Sequence, residues 1–152
     1  MERSGRGQRL TEVELAAWRG MLRTSFRLRR RLGEAMEREH GLTIAEYEVL
    51  TYLAERWGSA MRMAELADAV LQPRSSLTRI VDGLVASGYV RREPSPDDAR
   101  GQQAVLTKEG RAAFRRAHRT HLDNVRTAFL DHLDDDQLEQ LAEVWARFEV
   151  AE

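Results

Sequence analysis

Three groups of residues have the types and spacing to do chemistry. His118 and His121 lie three apart, so a helix would set both imidazoles on one side, a spacing that can hold zinc, with Glu39 and His40 of a second copy as further ligands. Asp134, Asp135 and Asp136 form an acidic run of the kind that ligates divalent cations. Three acids in the first turn of a helix are better explained by the positive end of its dipole, and Asp134 with Gln137 has the spacing of a helix cap. Both groups are therefore read without a metal. The third group is "RSSLTR", Arg74 to Arg79, whose chemistry is hydrogen bonding. An arginine fork can donate twice to guanine O6 and N7, and small hydroxyl residues let a helix sit deep in a major groove. The same six residues are equally compatible with a merely polar helix face.

What must position that face is a set of helices with clear punctuation. Thr11 and Glu14 have capping-box spacing, and Leu15, Trp18, Leu22, Phe26, Leu32 and Met36 continue at helical intervals to Gly41, where a left-handed glycine ends a helix. At ~1.5 Å per residue this helix is roughly 43 Å long, more than so small a domain covers by itself. Thr43 and Glu46 repeat the box, with Leu42 and Tyr47 placed as a hydrophobic staple. The second helix is expected to turn Tyr47, Leu50, Leu53, Ala54 and Trp57 inward and to stop at Gly58. "MRM" at 61–63 is a short extended piece, and "AELADAVL" a third, short helix.

Pro73 breaks the pattern, and a fourth helix then shows Leu77, Ile80, Val81, Leu84 and Val85 on one side before Gly88 closes it. At about 100° per residue the opposite direction falls on Arg79, flanked by Ser75, Ser76, Asp82 and Gly83. Two short helices joined by a tight turn, the second polar and small outside, is the arrangement of a helix-turn-helix. "YVRRE" and "QQAVLT" read as strands around "PSPDDARG", a hairpin placed where a wing would be. Arg100 near its tip could enter a minor groove, with Asp98 orienting it, while Arg91 and Arg92 either meet phosphates or stand in solvent.

On "LTIAEYEVLTYLA", "LADAVLQPRSSLTRIVDGLVASGYVRR" and "DDARGQQAVLTKEG", the chain resembles the MarR family of winged-helix transcriptional regulators, over roughly residues 10–150. The resemblance implies that Arg100 contacts a minor groove and Asp98 fixes its position. It implies recognition-helix roles for Arg74, Ser75, Ser76, Thr78 and Arg79, and a small aromatic or amphipathic effector that weakens DNA binding. The expected fold is mainly α with a small β-hairpin wing, a winged helix-turn-helix (α+β) with long terminal dimerisation helices. Residues 1–152 would form a single domain, 42–107 its DNA-binding lobe, and 11–40 with 108–150 the helical dimerisation region.

Further along, Phe114, Ala117, Leu122, Val125 and Phe129 mark a long helix, and Leu138, Leu141, Trp145 and Phe148 a last one. Their stripes and that of the first helix call for a homodimer, whose two recognition helices would meet a pseudo-palindromic operator in double-stranded DNA. Charge is unevenly spread: residues 1–40 carry ten arginines against six glutamates, a balance of +4, while residues 131–152 carry eight acids against Arg147, a balance of −7. The absence of cysteine excludes disulfides, thiolate metal sites and thiol switches. No apolar run reaches bilayer length and "MERSGRGQR" has no signal-peptide pattern, so a cytoplasmic location off the membrane is expected. No glycine-rich nucleotide fingerprint is present, so neither catalysis nor a cofactor is expected; the competing reading is a winged-helix adaptor that binds protein instead of DNA.

Overall fold

The computed structural model of the protein describes residues 9–96 and 98–149, with the backbone alone at 98–100 and at 149. Helix α1 runs Glu12–His40, α2 Ile44–Glu55, α3 Met63–Ala69, α4 Arg74–Ala86, α5 Lys108–Ala128 and α6 Asp135–Glu149. Strands β1 (Met61–Arg62), β2 (Val90–Ser95) and β3 (Asp98–Leu106) form one antiparallel sheet in the order β1-β3-β2. A 3₁₀ turn, Leu130–His132, joins the last two helices.

Helices α1, α2, α5 and α6 start where a side chain satisfies orphan N–H groups. Thr11 with Glu14, and Thr43 with Glu46, form reciprocal capping boxes, the threonine oxygen accepting from the glutamate N–H at 3.2 Å in both. Asp134 and Gln137 make the same exchange ahead of α6, at 2.9 and 3.0 Å. The acidic run therefore lies at a helix start, as its spacing indicates. Gly41 ends α1 with φ of 64°, the left-handed conformation expected of it.

The core gathers Val49, Leu50 and Leu53 of α2, Leu66 of α3, Leu77, Val81 and Leu84 of α4, and Val90, Ala104 and Leu106 of the sheet. Met36 near the end of α1 and Ala117 of α5 close it from the other side. Two residues expected inside are not there. Trp57 is 38% exposed because α2 stops at Glu55 and the chain turns before Gly58, whose φ is 88°. The Arg111 guanidinium covers its ring instead, 4.5 Å from the centroid. Val85 is also 38% exposed, since Leu77, Val81 and Leu84 already fill the contact against α2. Gly83 departs as well: it is partly covered, and a Cβ there would come within 2.9 Å of Glu46 Oε1.

The hairpin strands reach further toward their turn than the two apolar runs imply, and their ladder shifts register between Pro94 and Ser95. At the root, Ala104 pairs with Arg92 on one side and Met61 on the other, so the "MRM" piece becomes a third strand.

The junction between sheet and α5 is built on "LTKEG". Thr107 donates to the Gly88 carbonyl at 2.7 Å and accepts the Gly110 N–H at 3.0 Å. Gly110 packs so closely that a Cβ would collide with the Tyr89 carbonyl oxygen. Alanine ordinarily favours a helix over glycine by ~1 kcal/mol, but here overpacking should dominate, so Gly110→Ala is expected to lower stability by roughly 1–3 kcal/mol. The urea midpoint at constant m-value checks this, and an unchanged or raised midpoint would contradict the close approach.

Candidate nucleic-acid interface

Burial of Leu77, Val81 and Leu84 fixes the rotation of α4, and the period of the helix then decides what faces out. Arg74, Ser75, Thr78 and Arg79 are exposed and Ser76 is half-buried, so the structure places all five on or beside the open side. Thr78 donates its hydroxyl proton to the Arg74 carbonyl at 2.9 Å, which leaves its oxygen free to accept. Pro73 precedes the helix without a side-chain cap, and no acid occupies the first turn. The N–H groups there are left for water or for an anion. Among the described residues neither Arg74 nor Arg79 has a carboxylate partner.

Between this helix start, α3 and the wing lies a hollow of about 400 Å³, lined by Arg62, Arg74, Thr78, Ser95 and Gln102 among others. It widens the concave surface on which α4 stands. The backbone of Asp98 and Arg100 belongs to β3 at the turn end of the hairpin, Asp98 opposite Ser95. Their side chains lie outside the described residues, so the expected contact between them does too.

Of the two strand arginines, Arg91 stands in solvent, 58% exposed, whereas Arg92 does not. Arg91 is ion-paired with Glu93 two residues along the same strand. Arg92 reaches back to α4, with Nη2 2.9 Å from Asp82 Oδ1 and 3.3 Å from the Thr78 carbonyl. No spacing rule signals this, because it depends on how β2 lies across α4.

The histidines form a different assembly. Tyr47 of α2 is 2.8 Å by its hydroxyl from His118 Nδ1, and its ring lies 4.6 Å from that of His121 and 6.1 Å from that of Phe114. His40 Nε2 is 2.8 Å from Thr120 Oγ1, tying α1 to α5. Among the described residues no three of His, Asp and Glu converge as metal ligands, and Glu39 pairs with Arg38 at 2.8 Å. A pocket of about 300 Å³ lined by Ile44, Tyr47, Glu48, Thr51, Tyr52 and His121 opens beside this cluster. A second, of about 390 Å³, shares Glu48 and Tyr52 with it and extends to Arg29 and Leu71. Arg29 and Glu48 bridge the opening at 3.2 Å.

The family model described as MarR family matches residues 40–101. The fold is similar to the crystal structure of AbsC, a MarR family transcriptional regulator from Streptomyces coelicolor, with 34% identity, a TM-score of 0.86, and 93% of this chain against 95% of that one covered. It is similar at 36% identity and a TM-score of 0.87 to Sco3205, a MarR family transcriptional regulator from the same organism solved in complex with DNA, covering 93% of this chain and 92% of that one. Among curated proteins, the multiple antibiotic resistance protein MarR of Escherichia coli strain K12 is 29% identical over 100 residues, 66% of this chain and 68% of its own.

Burial holds the His121 imidazole below its ordinary value of 6.5, the neighbouring His118 adds to the effect, and Glu48 opposes it. The unfolded chain therefore binds more protons than the folded one below that value, and the contribution of a neutral His121, present above it, is lost as pH falls through the depressed range. Replacing His121 with phenylalanine should flatten the dependence of unfolding midpoint on pH between pH 7 and 5, and proton NMR of the parent should show one imidazole titrating late. Equal slopes in the two proteins would remove this assignment.

Proposed function

The chain belongs to the MarR family of transcriptional regulators, and on that premise we propose that it binds double-stranded operator DNA as a homodimer, with α4 as its recognition helix. The observation that carries the proposal is the outward face of α4, where Arg79 has no carboxylate partner among the described residues and stands among small residues on a helix whose opposite side is locked into the core. Arg79 reads a guanine through its two-pronged guanidinium, Ser75, Ser76 and Thr78 let the helix approach the base edges, and Arg74 with the uncapped first turn takes a phosphate. Arg100 at the wing enters the adjacent minor groove and Asp98 orients it.

In this reading residues 42–107 are the DNA-binding lobe of one domain, 1–152, and residues 11–40 with 108–150 hold two copies together. The support is apolar surface without cover: Trp18 and Phe26 of α1 are 53% and 69% exposed, and Leu122 of α5 and Trp145 and Phe148 of α6 are open as well. A two-fold dimer that buries them sets two recognition helices about 34–36 Å apart, one duplex turn, and so selects a pseudo-palindromic site. The paired pockets beside Tyr47, Glu48 and Tyr52 are the place for a small aromatic or amphipathic effector. It would release DNA by favouring a spacing of the lobes that no longer matches the groove. Repression is the simplest output of such a device. The similar proteins are regulators, and a cytoplasmic site of action follows from that role; no helix among the described residues is long and apolar enough to cross a membrane.

Gel shift on the protein's own promoter fragment tests the proposal, salt-sensitive and sequence-selective binding supporting it and no binding at low salt favouring the adaptor. Arg79→Ala should cost roughly 1–3 kcal/mol on the operator and relax preference at one position per half-site. Arg100→Ala should instead weaken sites with A·T-rich flanks most and lower the salt slope, and parental binding by this variant with an intact fold would show that the wing does not touch DNA.

Sedimentation should find a dimer at micromolar concentration. A folded monomer there would remove the two-half-site geometry.

A further inference from the structure

We propose that Arg92 is a positioning residue, a strut that holds recognition helix α4 to the root of the wing and neutralises Asp82 on the helix face turned to DNA. The inference rests on the DNA-binding reading above and assigns this arginine a role different from phosphate contact.

Three observations carry it. The first is where the guanidinium goes. One nitrogen, Nη2, meets both Asp82 Oδ1 at 2.9 Å and the Thr78 carbonyl at 3.3 Å, groups one helical turn apart on α4. The Arg92 side chain is 28% exposed, the most shielded among the ion-paired arginines described, and its Nε is closed off from solvent. An arginine kept for phosphates would present that edge outward.

The second is where the side chain stands. Arg92 pairs with Ala104, which in turn pairs with Met61, so its backbone lies in the three-stranded root of the sheet. Toward the turn the hairpin is two-stranded, and its register shifts between Pro94 and Ser95. The strut is thus anchored in the stiffest part of the wing, and Arg91, the next residue along, turns the other way to Glu93.

The third is the charge of Asp82. It lies three residues after Arg79 on α4 with 62% of its side chain exposed, so a bare carboxylate would stand close to the phosphates that Arg74 and Arg79 attract. Pairing with Arg92 cancels that repulsion without adding a cation to the DNA-facing surface. A single contact thereby sets the angle between the two reading elements and clears the approach to them.

The two roles differ in their salt dependence, because a phosphate contact releases about 0.9 counterion per charge on B-DNA and an internal strut releases none. Binding of the full-length protein to its promoter operator and to random DNA should be measured across a salt series for the parent, Arg92→Met, Asp82→Asn and the double variant. Arg92→Met should lower operator preference over random DNA by about threefold to a hundredfold, the range of coupled contacts, with an unchanged salt slope. Asp82→Asn made on top of Arg92→Met should restore random-DNA affinity, since the bare carboxylate is gone. A slope reduced by about one per protomer would identify a phosphate contact and overturn the proposal, as would losses in the two single variants that simply add. If Arg92→Met does not fold, Arg92→Gln, which also removes the charge, carries the same slope test. Should the parent bind no DNA, the DNA-binding reading fails by itself. Urea unfolding of the same four proteins then decides the strut, and additive midpoints would overturn it.

Discussion

The burial of Leu77, Val81 and Leu84 against α2 is the contact from which the geometry of the outward α4 face follows. Three side chains on successive turns allow one rotation of α4, and at 100° per residue that rotation turns Arg79 away from the core. The same contact explains why Gly83 carries no side chain: it lies against Glu46, which is occupied in capping α2 through Thr43. The start of one helix and the rotation of the other are thus set by a single packing surface. From there Gly88, with φ of 75°, reverses the chain so that Val90 enters the same core and the hairpin begins beside the helix that it must accompany.

A second constraint joins this lobe to the long helices. α1 contributes only Ala35 and Met36 to buried positions, so its end, and not its length, belongs to the core of one chain. At the seam the apolar contacts of Met36 and Ala117 are joined by polar and aromatic ones, Tyr47 with His118 and His121, and His40 with Thr120. Hydrogen bonds of this kind contribute about 1 kcal/mol each and are directional, whereas a dry apolar face would resist any change of angle over its whole area.

Much of this was legible in the sequence because the signals were local. Capping boxes at Thr11 and Thr43, the stop at Gly41 and the stripe of α4 depend on residues within a turn or two of each other, and the structure keeps them, the stripe without Val85. Trp57 and Val85 lie outside the core that periodicity assigns them to, because periodicity gives direction but not where a helix ends or how much space a partner leaves; one lies past the end of α2, the other beside a contact already full. The pairing of Met61 with Ala104 and the bond from Arg92 to Asp82 join segments with no shared pattern, so only the fold brings them together. At the site, the outward set on α4 could be read from spacing alone, while the part played by the β2 arginines could not.

The same distinction resolves an apparent conflict between a formal charge of −1 and a DNA-binding reading. Net charge sums cations that are already engaged. Arg29 with Glu48, Arg56 with Glu65, Arg91 with Glu93 and Arg92 with Asp82 are internal or lateral pairs, each contributing little field at a distance. Arg74 and Arg79 have no such partner among the described residues, and Arg74 opens α4, where the helix dipole adds positive potential. Within a Debye length of about 8 Å at physiological salt, a phosphate at that surface responds most to those groups. A chain can therefore be neutral overall and still present a cationic edge, provided its carboxylates are spent on arginines that do other work.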